Sequence, residues 1–168
     1  MSKAGYKLLI ANELRRMCMH SRFMQMNQYP QHGKVTVYQH CIAVALMSCW
    51  IAWKFRLKVD YGILIRGALL HDYFLYDWHE HNPGHRLHGF HHPRRALGNA
   101  REDFNLTSIE TNIILRHMFP LTPIPPAYLE SWIVCMADKF CALRETLHLA
   151  DGEMMEQFWS NESELDCS

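Results

Sequence analysis

The sequence of 168 residues contains no G-x-S-x-G turn, no glycine-rich phosphate loop and no C-x-x-C pair. The first two absences exclude a serine-elbow hydrolase and a P-loop nucleotide site. The third leaves the six cysteines, at 18, 41, 49, 135, 141 and 167, without a framework. Five of them sit in apolar helical stretches, as expected of reduced thiols acting as small hydrophobes in a cytoplasmic protein. Net charge is also lacking, since 17 basic residues balance 17 acidic ones. Bulk electrostatics therefore favours neither a nucleic acid nor a membrane surface, although a local basic pocket remains open to a phosphate. The longest apolar run, Cys41 to Phe55, is interrupted by Lys54 and is too short to cross a bilayer. The apolar run after Lys7 is likewise too short for a secretory signal. No strand pattern, internal repeat or linker is evident, and the length suits one domain with one core.

What remains is helical periodicity. Tyr6, Leu9, Ile10, Leu14 and Met17 recur at three- and four-residue intervals, predicting an amphipathic helix over 4–19 on the outside of the core. A short helical piece at Ser21–Met24 and a Pro30–Gly33 break lead into a helix from Val35 to Phe55 that is apolar on all sides and therefore central. Asp60 is placed to cap a helix from Tyr61 to Asp72, and its Gly67-Ala68 pair would let the helix carrying His40 approach closely. Pro93 suits the first position of another helix reaching about Phe104. Thr107 or Ser108 would cap a helix ending at His117, with Glu110 in its first turn. Four prolines between Phe119 and Pro126 form a stiff connection. A final long helix, 127–147, is expected to turn Leu129, Trp132, Ile133, Met136 and Phe140 inward. The acidic stretch 151–168 would add at most one packed turn or helix before a disordered end. The fold reads as an all-α helical bundle whose core includes Trp50, Leu70 and Trp132.

Twelve histidines are the compositional anomaly, and they crowd between His71 and His92. Most of the loop histidines, including His79, His81 and His85, read as solvated. The doublet His71-Asp72 does not. Adjacent helical residues project about 100° apart, so both can serve one interior point only if the helix ends there around a shared cation. His40, His92, His117 and Asp138 stand at separations that suit helices returning to the same centre. A bare carboxylate at Asp138, among Cys135, Ala137 and Cys141, would cost several kcal/mol without a partner. Imidazoles and carboxylates without thiolate suit iron, manganese, zinc or magnesium.

The ordered set His40, His71-Asp72, His92, His117 and Asp138 resembles the HD superfamily of metal-dependent phosphohydrolases, in particular its six-ligand members that hold two metals. The resemblance extends to the surrounding residues: His40-Cys41-Ile42-Ala43, Gly67-Ala68-Leu69-Leu70-His71-Asp72, His92-Pro93-Arg94-Arg95-Ala96 and Ala137-Asp138-Lys139. It covers about residues 32 to 147 and selects His92 over His91 through the His-Pro-x-x-Ala spacing. It implies an HD-domain bundle with two divalent or mixed-valent transition metals, iron or manganese, and Asp72 bridging them. His40, His71 and Asp138 would hold one metal, and His92 and His117 the other, with a metal-bridging hydroxide attacking the phosphoryl group.

By position, Asp77, His88 and Lys139 are candidates for the general acid, and Lys34, His88, Arg94 and Arg95 for contacts to a small phosphorylated substrate, a nucleotide by analogy. The chain lacks the Asp-Ile-Gly-Lys continuation of the doublet and the Gly-Tyr-Pro motif of cyclic-dinucleotide phosphodiesterases, which argues against that substrate. The small stand-alone nucleotide hydrolases are nearest in size and ligand order. The competing expectation is a mixed-valent di-iron oxygenase resembling the inositol oxygenase branch, which uses the same ligands on dioxygen. Oligomeric state is not legible.

Overall fold

A computed structural model describes residues 2–19, 21–32, 35–77 and 88–147. Lys34 and the acidic stretch 151–168 lie outside the described residues, as do His79, His81 and His85. Among the described residues are seven α-helices: α1 (Lys3–Cys18), α2 (Ser21–Met24), α3 (Val37–Lys54), α4 (Tyr61–Leu70), α5 (His88–Asp103), α6 (Ser108–Arg116) and α7 (Leu129–Thr146). No helix among them is long and apolar enough to cross a membrane. A two-stranded antiparallel hairpin, β1 (Pro30–His32) with β2 (Val35–Thr36), precedes α3 where no strand was expected.

The helix starts are set locally. Thr36 accepts from the Gln39 amide while the Gln39 side chain returns to the Thr36 amide, a capping box that fixes where α3 begins. Thr107 and Glu110 do the same for α6, and the Asp60 carboxylate caps α4 through the Ile63 amide. The start of α5 departs from expectation, because the helix begins at His88 and carries Pro93 inside it. Pro93 is the sixth residue of α5, past the first turn where a proline costs least, and having no N–H it cannot bond the Gly89 carbonyl one turn back.

α3 is buried along nearly its whole length, with α4 and α7 making the largest contacts to it and α6 bridging those two. This sandwich brings together the start of α3, the end of α4, the end of α6 and the middle of α7. Gly67 matters here in a different way from the one expected. A Cβ there would collide with the Ile113 side chain, so the missing methyl admits α6. From α1, Tyr6, Ile10, Ala11, Leu14 and Met17 join the same buried cluster as Ile42, Leu64, Leu69 and Ile113.

The facing of α7 overturns the predicted stripe. Ile133 is inward as expected, but Leu129, Trp132, Met136 and Phe140 are 44, 38, 53 and 47 % exposed. The buried face is instead Ile133, Val134, Ala137, Asp138, Cys141 and Glu145. Both faces of this helix carry apolar residues at helical spacing, so periodicity alone could not choose between them. Trp50, also 38 % exposed, leaves the core list with Trp132, whereas Leu70 is fully buried.

Candidate metal centre

The doublet ends α4: the helix stops at Leu70, His71 is its C-cap and Asp72 lies in the following turn. Ending the helix frees both side chains from a single helical stripe. His40 comes from the first turns of α3, His117 from the C-cap of α6, Asp138 from the middle of α7 and His92 from within α5. All six are buried, His40 and His71 completely.

Each of three imidazoles has its Nδ1 occupied by an outer partner, which turns its Nε2 to the centre. His71 Nδ1 donates to the Ala68 carbonyl at 2.7 Å and His117 Nδ1 to the Ile114 carbonyl at 2.8 Å, each three residues back in its own helix. His40 Nδ1 lies 2.9 Å from both oxygens of Glu145, a carboxylate 5 % exposed in the last turn of α7. Such outer hydrogen bonds fix the tautomer and ring orientation of metal-ligating histidines. Glu145 is absent from the sequence reading. Its signal was the seven-residue step from Asp138, two turns along the same face of α7.

The inward atoms divide around Asp72. Its Oδ2 faces His71 Nε2 at 3.5 Å and His40 Nε2 at 3.9 Å, while Asp138 Oδ1 lies 3.1 Å from His40 Nε2 and 3.5 Å from His71 Nε2. Its Oδ1 faces His92 Nε2 at 3.1 Å and His117 Nε2 at 3.4 Å, and those two nitrogens are 2.8 Å apart. Most of these separations are long for hydrogen bonds. They match the edges of a coordination polyhedron, because ligand atoms about 2.0–2.2 Å from one ion lie about 3 Å from each other. Two atoms of the cluster, His71 Nε2 and Asp72 Oδ1, are buried without a hydrogen-bond partner among the described residues. Buried polar atoms are seldom left so, and a cation satisfies both. The donors fit a divalent metal, and the triads His40–His71–Asp72, His71–His117–Asp138 and Asp72–His92–His117 each converge closely enough to hold one.

The electrostatics of the metal-free cluster point the same way. Burial lowers the proton affinity of His40, but Asp138 and Glu145 outweigh it and push its pKa up to about 10. For His71 burial is likewise opposed by the adjacent Asp72, and the result is well above the usual imidazole value. Burial works against the ionised form of Asp72 too, yet His71 and His92 hold its carboxyl well below the ordinary range. His117 goes the other way, with burial as the main cause, and stays neutral. Protons on His40 and His71 thus occupy the place of positive charge that a cation would take.

That substitution has a measurable consequence. At pH 7 a metal must displace the His40 Nε2 proton, so binding should release on the order of one proton per imidazole displaced. Apparent affinity should rise with pH until it passes about 10, where His40 is already deprotonated. Calorimetric titration of manganese in two buffers of different ionisation enthalpy measures the release. Buffer-independent heats at pH 7 would contradict it.

The other predicted site residues fall in different places. Lys139 Nζ donates to the His117 carbonyl at 2.7 Å and also reaches the Cys135 carbonyl and sulfur, bracing the turn that carries His117. The Arg95 guanidinium lies over the Tyr76 ring, 4.8 Å from its centroid. Phe74 contacts both Tyr76 and the edge of His92, so Phe74, Tyr76 and Arg95 form a wall beside the His92 half. Arg94 is exposed, and Asp77 is half-buried five residues beyond Asp72. The His88 side chain lies outside the described residues. Gln31, unnoticed in the sequence, donates from Nε2 to Asp72 Oδ2 at 2.7 Å.

A family model for the HD domain matches residues 37–143, well over half of the chain. The chain belongs to the HD domain family. The match spans α3 through most of α7 and so contains His40, His71, Asp72, His92, His117 and Asp138. HD domains bind divalent metals and are mostly metal-dependent phosphohydrolases, which agrees with the chemistry of this buried cluster. Comparison with curated proteins and with solved structures returned no match for either.

Proposed function

We propose that this HD domain is a dinuclear metal-dependent phosphohydrolase acting on a small phosphate ester or anhydride, a nucleotide in the first instance. The observation that carries the reading is the division around Asp72, with one carboxylate oxygen towards His40 and His71 and the other towards His92 and His117. A carboxylate between two sets of inward imidazoles supports a bridging role, with Asp138 completing the first set. Bound metals would supply a water acidic enough to attack near neutral pH and positive charge to neutralise the phosphoryl oxygens. A nitrogen- and oxygen-only donor set suits iron and manganese as it suits zinc and magnesium, and the resemblance to six-ligand HD members favours the first two.

The chain's own contributions follow from position. Arg95, held by the Tyr76 face, offers planar forked donors to a phosphate next to the His92 half, and Arg94 faces solvent. Tyr76, half-buried and backed by the buried Phe74, gives that side an aromatic flank suited to a nucleoside or other flat group. Lys139 commits its ammonium to the His117 turn, so it serves as a brace, and Asp77 and His88 are left as candidate proton donors to the leaving group.

The test is metal analysis of anaerobically purified protein combined with phosphate release from a panel of nucleotides. Phosphate or nucleotide release under argon, dependent on added manganese or iron, is the expected result. Turnover that consumes dioxygen and stops under argon would replace this reading by the oxygenase.

A further inference from the structure

We propose that Gln31 is a positioning residue of the metal centre: through Nε2 it fixes Asp72, and through Oε1 it accepts a hydrogen bond from the attacking water. The proposal rests on the phosphohydrolase reading for the second role only. Gln31 lies on β1, outside the span of the family match, and is 7 % exposed. Its Nε2 is 2.7 Å from Asp72 Oδ2, the shortest contact that this carboxylate makes among the described residues. Only the nitrogen end of an amide can face a carboxylate oxygen, since the other orientation sets two acceptors together. The amide direction is therefore determined, and Oε1 is the free end.

That Oε1 is buried and has no hydrogen-bond partner among the described residues. Buried acceptors are seldom left unsatisfied, so an Oε1 held on the same amide that bonds Asp72 points to a donor that the described residues do not supply. The two amide heteroatoms share one carbon, so Oε1 is tethered near the same oxygen of Asp72 that faces His40 and His71. A water held beside those ligands is the donor that chemistry offers there. Accepting one of its protons in a hydrogen bond points a lone pair elsewhere, towards an electrophile.

A neutral amide suits this task better than an ammonium or guanidinium. It orients Asp72 without contributing a positive charge that would compete with the metal. The hairpin also acquires a purpose. The Val37 amide bonds the Tyr29 carbonyl at 2.9 Å, closing the hairpin onto the start of α3, the helix that carries His40. One short element thus delivers both a ligand helix and the residue that orients Asp72.

The experiment compares wild type with Gln31→Met, which keeps side-chain length but removes the amide, and Gln31→Asn, which retains the amide on a shorter tether. The readouts are the melting temperature of metal-free protein, the manganese dissociation constant by calorimetry, and kcat and KM at saturating manganese. Manganese affinity should fall about 10-fold or more, as for other partners of metal ligands. At saturating manganese kcat should fall at least 10-fold with KM within twofold. Unchanged manganese affinity in a folded variant overturns the Asp72 role, and unchanged kcat at saturating manganese overturns the water role. If Gln31→Met does not fold, Gln31→Asn is judged by the same two measures. Absence of any phosphatase activity in wild type would sink the phosphohydrolase reading and with it the water role, while the manganese titration still decides whether Gln31 positions Asp72.

Discussion

Asp72→Asn should lower turnover by two to three orders of magnitude, about the loss seen when one dominant source of transition-state charge stabilisation is removed. The substitution keeps the size of the side chain and removes its charge. Asp72 divides its two carboxylate oxygens between the halves of the cluster, with His71, His40 and Gln31 on one oxygen and His92 and His117 on the other. An asparagine can offer an acceptor to one side only. Its amide nitrogen must then meet either the Gln31 donor or the inward Nε2 atoms, so metal affinity should fall on both sides. The fold should persist, because the buried cluster of Ile42, Leu64, Leu69 and Ile113 makes no use of that charge. Without Asp72 to oppose its burial, His71 should also lose its raised proton affinity in the metal-free state. Metal content, rate and melting temperature on one sample decide the matter. Full metal occupancy with a wild-type rate would mean that Asp72 merely ends α4.

The residues meeting at the centre were legible because each had a local marker. His71-Asp72 stood at the end of an apolar run, Asp138 among apolar neighbours and His117 at the end of a capped helix. Their burial bears out the all-α, HD-type reading, which the family match shows. The outer partners were harder to see for a physical reason. Gln31 reaches Asp72 across 41 residues of sequence and leaves no periodicity, while Glu145 reaches His40 across 105 and is marked only by its seven-residue step from Asp138. The exposed face of α7 misled for the opposite reason. Leu129, Trp132, Met136 and Phe140 form a better apolar stripe than the true inner face, which is interrupted by Ser131, Asp138 and Glu145. Asp138 and Glu145, which hydrogen-bond His40 in the buried His–Asp cluster, make that inner face polar and so conceal the packing pattern. Likewise, Pro93 pointed to a helix start because its local preference is strong, yet α5 begins five residues earlier.

Replacing His92 and His117 together by alanine should leave a protein that binds one metal where the wild type binds two, and should abolish phosphate release. The two nitrogens, His92 Nε2 and His117 Nε2, are 2.8 Å apart in a buried site. His117 donates through Nδ1 to the Ile114 carbonyl and is kept neutral chiefly by burial, so its Nε2 presents a lone pair. Two lone pairs cannot face each other at that distance, and either a proton or a cation must lie between them. Asp72 Oδ1, buried with no hydrogen-bond partner among the described residues, supplies the third donor on the same side. The remaining half, His40, His71, Asp138 and the other oxygen of Asp72, keeps its Glu145 and Ala68 supports in the variant and should still bind its metal. Elemental analysis should therefore read half the wild-type content, and calorimetry should show one class of site lost and the other nearly unchanged. His92→Gln with His117→Gln, which fills more of the vacated volume, guards against a packing effect. Equal metal content in wild type and both variants would refute the dinuclear centre. Loss of all metal from both would mean that the two halves form one site, with Asp72 a shared ligand and no bridge.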